Sequence, residues 1–160
     1  MARHLARTLS VGELWDVDNS GCTALHHCCR ALWPDVVQSL VSRGGQALVE
    51  KQTHSLGKPG NWTALHSLAD GRPCADNVAI AGMLINAMSK QALDKQSVRL
   101  NTALHHAASR GNTRLVELLI DRGAALDIQN FDSKCPADMS KKSHAEVTAI
   151  LLRGGAPLWA

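Results

Sequence analysis

One tetrapeptide occurs three times in the chain, as Thr23-Ala24-Leu25-His26, Thr63-Ala64-Leu65-His66 and Thr102-Ala103-Leu104-His105. A string of four residues does not return three times in 160 residues by chance, so the chain is internally duplicated. A repeated unit of this size cannot bury an apolar face alone. It must stack on its neighbours, which restricts the fold to a repeat array.

The residues around each copy define the unit. In the first, the turn formers Asp18, Asn19, Ser20 and Gly21 lead into a helical stretch that ends near Trp33-Pro34, because proline disfavours helical geometry in the residue before it. A second helix follows, with Val36, Val37, Leu40 and Val41 on one face and Gly44-Gly45 at its end. The third copy places Leu104, Ala107 and Ala108 on its first helix. It then breaks at Gly111-Asn112, sets Leu115, Val116, Leu119 and Ile120 on its second helix, and closes at Gly123. Hydrophobic residues make up 45% of the chain but aromatic ones only 3%, so the core is aliphatic and small, as closely stacked helices require.

This order of turn, Thr-x-Leu-His, two small residues, glycine break, paired aliphatics and Gly-Ala resembles the ankyrin repeat, with Ala in all three copies where that family usually has Pro. The family period is 33 residues, and Thr102 to Cys135 is 33. The intervals Thr63 to Thr102 and Thr23 to Thr63 are 39 and 40, so two copies carry insertions. A second recurring string, at Ala47 to Gln52, Ala92 to Gln96 and Ala125 to Gln129, places these insertions in a long finger at His54 to Gly60, in the turn Arg72 to Asn77, and around Val49 and Asn86 to Gln91. All of them are expected in loops. The resemblance implies an all-α solenoid of about four helix-turn-helix repeats with β-hairpin-like fingers. Residues 1–17 form a half-repeat cap around a short helix bearing Leu5, Ala6 and Leu9. Full repeats occupy 18–57, 58–96 and 97–129, and residues 130–160 form a degraded last repeat in which Cys135-Pro136-Ala137-Asp138 replaces the tetrapeptide. Pro157 to Ala160 reads either as the opening of another hairpin, in a longer protein, or as a free end.

Several function classes are excluded by the sequence reading. A net charge of +3 is too mild to imply nucleic acid as partner. The N-terminus lacks an apolar signal core, and no run approaches the ~18 apolar residues of a span, so no membrane insertion is expected. Five cysteines, two of them adjacent at Cys28-Cys29, do not make a disulfide framework and point to a reducing, cytoplasmic location. No phosphate loop, nucleophile elbow or zinc-protease motif occurs, so the chain is read as non-enzymatic and without a cofactor.

His26, His66 and His105 recur in register and are read as structural residues that bond backbone groups through both ring nitrogens. Cys22, His26, His27, Cys28 and Cys29 have the residue types of a zinc site. Cys28 and Cys29, however, fall where the third copy has Ala107 and Ala108, so the group is read as core packing and no metal is expected.

The family resemblance implies a protein partner, of unknown identity, bound to a monomeric chain in the concave groove of fingers and first helices. Carried onto this sequence, the groove positions are His27, Arg30, Asp70, His106 and Arg110 on the helices, and Lys58, Trp62, Arg99, Phe131 and Lys134 on the fingers. Trp62 and Phe131 are the foremost candidates, because aromatic residues are enriched in binding hot spots. Their rival reading is packing, Trp62 on the long neighbouring finger and Phe131 on the adjacent hairpin. Leu100 stands where the family has glycine. Two alternatives remain open: a regulatory or targeting domain of a longer enzyme or membrane-associated protein, and a small-ligand or nucleotide sensor built on Trp62, Lys58 and Arg99.

Overall fold

A computed structural model describes residues 10, 12–54, 60–140 and 144–155. The expected helix at Leu5 to Leu9, the fingertip Lys58 and the segment Pro157 to Ala160 lie outside the described residues. After a 3-10 turn at Glu13–Trp15, the helices are α1 Ala24–Ala31, α2 Pro34–Val49, α3 Ala64–Ala69, α4 Ala75–Ala87, α5 Lys90–Leu93, α6 Ala103–Arg110, α7 Thr113–Asp121, α8 Pro136–Met139 and α9 Ala145–Arg153. No strand occurs among the described residues.

The first helices α1, α3, α6 and α8 stack in one row, and α2, α4, α7 and α9 form a second layer behind them. The periodic aliphatics account for this. Leu25, Leu65 and Leu104 of the first row and Val37, Leu40, Ile80, Leu84, Leu115, Leu119 and Leu151 of the second are all buried in one continuous cluster. Each buried leucine, isoleucine or valine contributes about 1.5–3 kcal/mol. Ahead of the first repeat, Leu14 of the 3-10 turn is buried against α1 and α2.

Apart from the long finger, whose residues 55–59 lie outside the described residues, the insertions depart from the loops expected of them. Gly45 does kink the chain, at φ 60 and ψ −161, but a further helical turn follows and buries Leu48 and Val49. In the second repeat α5 does the same for Ala92 and Leu93, with the Ser89 hydroxyl accepting the Ala92 N–H at 3.2 Å. Leu48, Ala92 and Leu93 of the recurring string, and the inserted Val49, are apolar, and winding them into a turn satisfies their backbone while burying their side chains. Part of the expected Arg72 to Asn77 turn is likewise helical, since α4 starts at Ala75. Asn77 is fully buried there. Its amide donates to the Leu68 carbonyl at the end of the short α3 (2.9 Å), and its oxygen accepts from Asn112 of the next repeat (3.2 Å).

The fingers share one geometry too short for a strand ladder. Asp18, Ser97 and Asn130 each donate their N–H to the carbonyl four residues on, at 2.9–3.0 Å, and accept from the residue three on, at 2.8–2.9 Å. That third residue must adopt the left-handed conformation: Gly21 has φ 71, Leu100 φ 58 and Ser133 φ 55. Leu100 therefore keeps the finger's shape at a conformational cost of about 1–2 kcal/mol. Neighbouring fingers are joined directly, through Val98 N–H to the Gly60 carbonyl and Phe131 N–H to the Arg99 carbonyl, both 3.0 Å. In the long finger, an isolated bridge pairs His54 with Gly60.

Candidate functional site

Each tetrapeptide starts a first helix with a capping box in which His takes the place usually held by Glu or Gln. The Nδ1 atoms of His26, His66 and His105 accept the N–H of Thr23, Thr63 and Thr102 at 3.2, 3.2 and 3.1 Å. Their Nε2 atoms reach the carbonyls of Trp62, Asn101 and Lys134 in the next finger at 3.0, 3.1 and 3.0 Å. A backbone N–H only donates and a carbonyl only accepts, so the ring proton resides on Nε2 and each ring is neutral. Burial lowers the affinity of all three for a second proton, to a pKa of about 3 at His66 and about 4 at His105. In the fourth repeat Asp138 closes the box by accepting the Cys135 N–H at 2.9 Å. The histidines are thus pins between repeats, and the groove chemistry lies beside them.

Four of the sequence-predicted residues meet on this face across two repeats. The Trp62 ring lies 4.8 Å from the His106 ring, tilted by 60°, and 6.4 Å from that of His66. His106 Nδ1 is 3.5 Å from Asp70 Oδ1, and the same oxygen accepts from Arg110 Nε (3.0 Å) and Nη2 (2.8 Å). Burial works against ionisation of Asp70, but hydrogen bonds from His106 and Arg110, together with their charges, hold its carboxyl below the usual value. Two atoms nearby in register, His106 Nε2 and Ser67 Oγ, are buried without a protein partner.

The other predicted residues are dispersed. His27 pairs with Asp18 of its own finger at 2.7 Å. Arg30, Arg99 and Lys134 are exposed, Lys134 also supplying the carbonyl that His105 binds. Phe131 is 75% exposed, so it does not pack on the adjacent hairpin, whereas Trp62 packs forward onto His106 as well as standing on its own long finger. Sequence reading missed Val98, exposed on the finger beside Leu100 and Phe131, although apolar residues in a turn are the available signal. It also missed exposed Trp33 at the start of α2 and the pairing of Asp18 with His27.

Cys28 and Cys29 are core residues, and burial pushes the Cys28 thiol up to about 11. Behind the groove, a cleft of about 300 Å3 lined by Pro73, Cys74, Val78, Asn112 and Arg114 contains none of the predicted groove residues.

The ankyrin repeat family description matches residues 20–54 and 99–131. The chain carries ankyrin repeats. The second repeat, with its long finger and lengthened turn, falls between the two matches, yet its Thr63–His66 box has the ankyrin geometry of the others. Among relatives, human palmitoyltransferase ZDHHC13 is 34% identical over 65 residues, 41% of this chain and 10% of that protein. Human transient receptor potential cation channel subfamily A member 1 is 27% identical over 109 residues, 68% of this chain and 9% of that protein. Human ankyrin repeat and IBR domain-containing protein 1 is 35% identical over 63 residues, 39% of this chain and 6% of that protein. The chain therefore spans a tenth or less of the length of these relatives. Ankyrin repeats generally mediate protein–protein interaction and are typically non-catalytic. Among the described residues no helix is long and apolar enough to cross a membrane.

Proposed function

We propose that the chain is a non-catalytic ankyrin module that binds a protein partner on the face made by its fingers and first helices. The observation that carries this reading is the cross-repeat assembly of Trp62, Asp70, His106 and Arg110 beside the exposed apolar fingertips Val98, Leu100 and Phe131. An exposed phenylalanine at a fingertip loses water-contacting area on binding, while the Asp70–Arg110 pair offers both an acceptor and a directed guanidinium to a partner backbone or side chain. Cys22, Cys28, Cys29 and Cys74 carry free thiols, in keeping with action in the reducing cytoplasm.

The test is photocrosslinking from a residue placed at position 131, compared with one placed at position 33 on the other side of the repeats. A partner crosslinked at 131, and lost with Trp62→Ala combined with Arg110→Ala, supports the groove. Equal crosslinking from both positions, or capture indifferent to the double substitution, refutes it.

A second reading is favoured by the relatives: the module is one part of a longer enzyme or channel-like protein, in which the groove serves regulation or targeting. Detection of the endogenous protein at a mass near 17.2 kDa would count against this.

A further inference from the structure

Among the described residues, the groove leaves one group of metal-ligating side chains unused. Where the first finger runs into α1, a carboxylate oxygen of Asp18, the Sγ of Cys22 and a ring nitrogen of His27 all lie within 4.8 Å of one another. We propose that these three side chains bind a divalent cation of the zinc class, with water completing a tetrahedral shell.

The donor set selects the metal. Thiolate, imidazole and one carboxylate suit zinc or cobalt and disfavour calcium and magnesium, which take oxygen ligands. The spacings, 2.7 Å for Asp18 with His27 and within 4.8 Å for the whole set, bracket what such a shell needs. Metal–ligand bonds of about 2.0–2.3 Å put tetrahedral ligands roughly 3.3–3.7 Å apart. Asp18 Oδ2 and His27 Nε2, now 2.7 Å apart, must open by about 0.7 Å to satisfy those bond lengths. Both side chains are about half exposed, at 41% and 51%, and a small rotation of the imidazole supplies that opening along with a path for entry. Cys22, by contrast, is buried and gives the shell a fixed point.

Asp18 is also already oriented. Its Oδ1 accepts the N–H of Ser20 at 2.8 Å and of Cys22 at 3.0 Å, and its own N–H donates to the Cys22 carbonyl at 3.0 Å. The finger thereby holds one carboxylate oxygen and leaves Oδ2 to a cation, the kind of outer support that fixes metal ligands. On binding, the Cys22 thiol releases its proton to solvent and the Asp18–His27 contact is exchanged for two metal bonds. The third repeat is an internal control. His106 stands at the register of His27, but Ser97 and Asn101 stand where the first repeat has Asp18 and Cys22, so the same histidine there has neither a carboxylate nor a thiol from its own finger.

The experiment is a Co2+ titration of the chelator-stripped, reduced chain, followed by Zn2+ displacement. One equivalent is expected to bind with tetrahedral d–d absorption and a thiolate-to-cobalt charge-transfer band. Cys22→Ser removes that band, His27→Gln and Asp18→Asn each weaken affinity at least tenfold, and Cys74→Ser and His106→Gln change neither. Circular dichroism establishes that each variant is folded. If Cys22→Ser does not fold, the variants at exposed Asp18 and His27 decide the matter. The proposal is overturned if no charge-transfer band appears at stoichiometric Co2+, if the band survives both exposed-site variants with unchanged affinity, or if it follows Cys74 instead.

Discussion

The chain contains the dipeptide His-His twice at the same repeat register, as His26-His27 and His105-His106, and the two pairs share only half their structure. The first histidines are interchangeable: both are buried, both cap a threonine and both donate to a carbonyl of the next finger at 3.0 Å. The second histidines diverge. His27 turns to Asp18 on its own finger and is half exposed, while His106 faces Asp70 of the preceding helix beneath the Trp62 ring. What differs is the neighbour. Position 18 is acidic and position 97 is not, and α6 has α3 and the long finger in front of it, while α1 adjoins only the 3-10 turn among the described elements on that side. A residue whose partners are backbone groups of the repeat behaves alike everywhere. One whose partners are side chains takes its role from what stands next to it.

The largest expected effect sets the first histidines apart as a class. Burial holds His66 and His105 neutral down to about pH 3 and 4, while in the unfolded chain they take up protons below about 6.5. Because the unfolded state binds more protons in that window, stability is full above pH 6.5 and falls as the pH drops towards the folded values, by about 2 kcal/mol per histidine and about 4 kcal/mol for the two together at pH 5. Urea denaturation from pH 7 to 5 measures this, and a flat profile would show that the pins are not neutral and buried. Next in size, His26→Ala and His105→Ala should each cost about 3 kcal/mol, since each removes a cap and orphans a carbonyl. Equal losses within error sustain the equivalence, and a loss under 1 kcal/mol at either site breaks it.

The fingers ahead of the two pairs give a smaller effect of opposite sign. Leu100→Gly removes a positive-φ leucine from the third finger and should raise stability by about 1 kcal/mol, whereas Gly21→Leu should be strongly destabilising. In the first finger a Cβ at Gly21 would lie 2.5 Å from the His54 backbone nitrogen, so conformation and space both oppose it. Thermal melts of the two variants distinguish these outcomes. The smallest effect concerns the second histidines: a double-mutant cycle between Asp70 and Arg110 should return about 0.5 kcal/mol, as half-exposed ion pairs do. A coupling near 2 kcal/mol would move that pair from the binding face into the stabilising framework.

Much of this was legible in the chain because it depends on period. The pins were recognisable from their recurrence, the two helix rows from the spacing of Leu25, Val37, Leu40 and their counterparts, and Trp62, Asp70, His106 and Arg110 from their register relative to each pin. The insertions were less legible. Their number follows from the spacing of the tetrapeptides, but whether Val49, Lys90 and Asn77 enter loops or helical turns depends on the apolar space and orphan carbonyls offered by the neighbouring repeat. Likewise, Cys22, His27, Cys28 and Cys29 are adjacent in sequence and divide in space: two thiols enter the core, while Cys22 and His27 gather around Asp18 on the finger.

By itself the sequence determined the repeat, its pins and the family, because those rest on local patterns that each copy carries whole. Only the tertiary structure decided which of the marked positions touch one another, since contacts between repeats join residues 35 to 40 positions apart whose identities vary from copy to copy. The pairing of Asp70 with Arg110 and the placing of Trp62 over His106 are facts of stacking, the meeting of Asp18, Cys22 and His27 is a fact of how the first finger folds onto its own helix, and in both the chain's repeats cease to be alike.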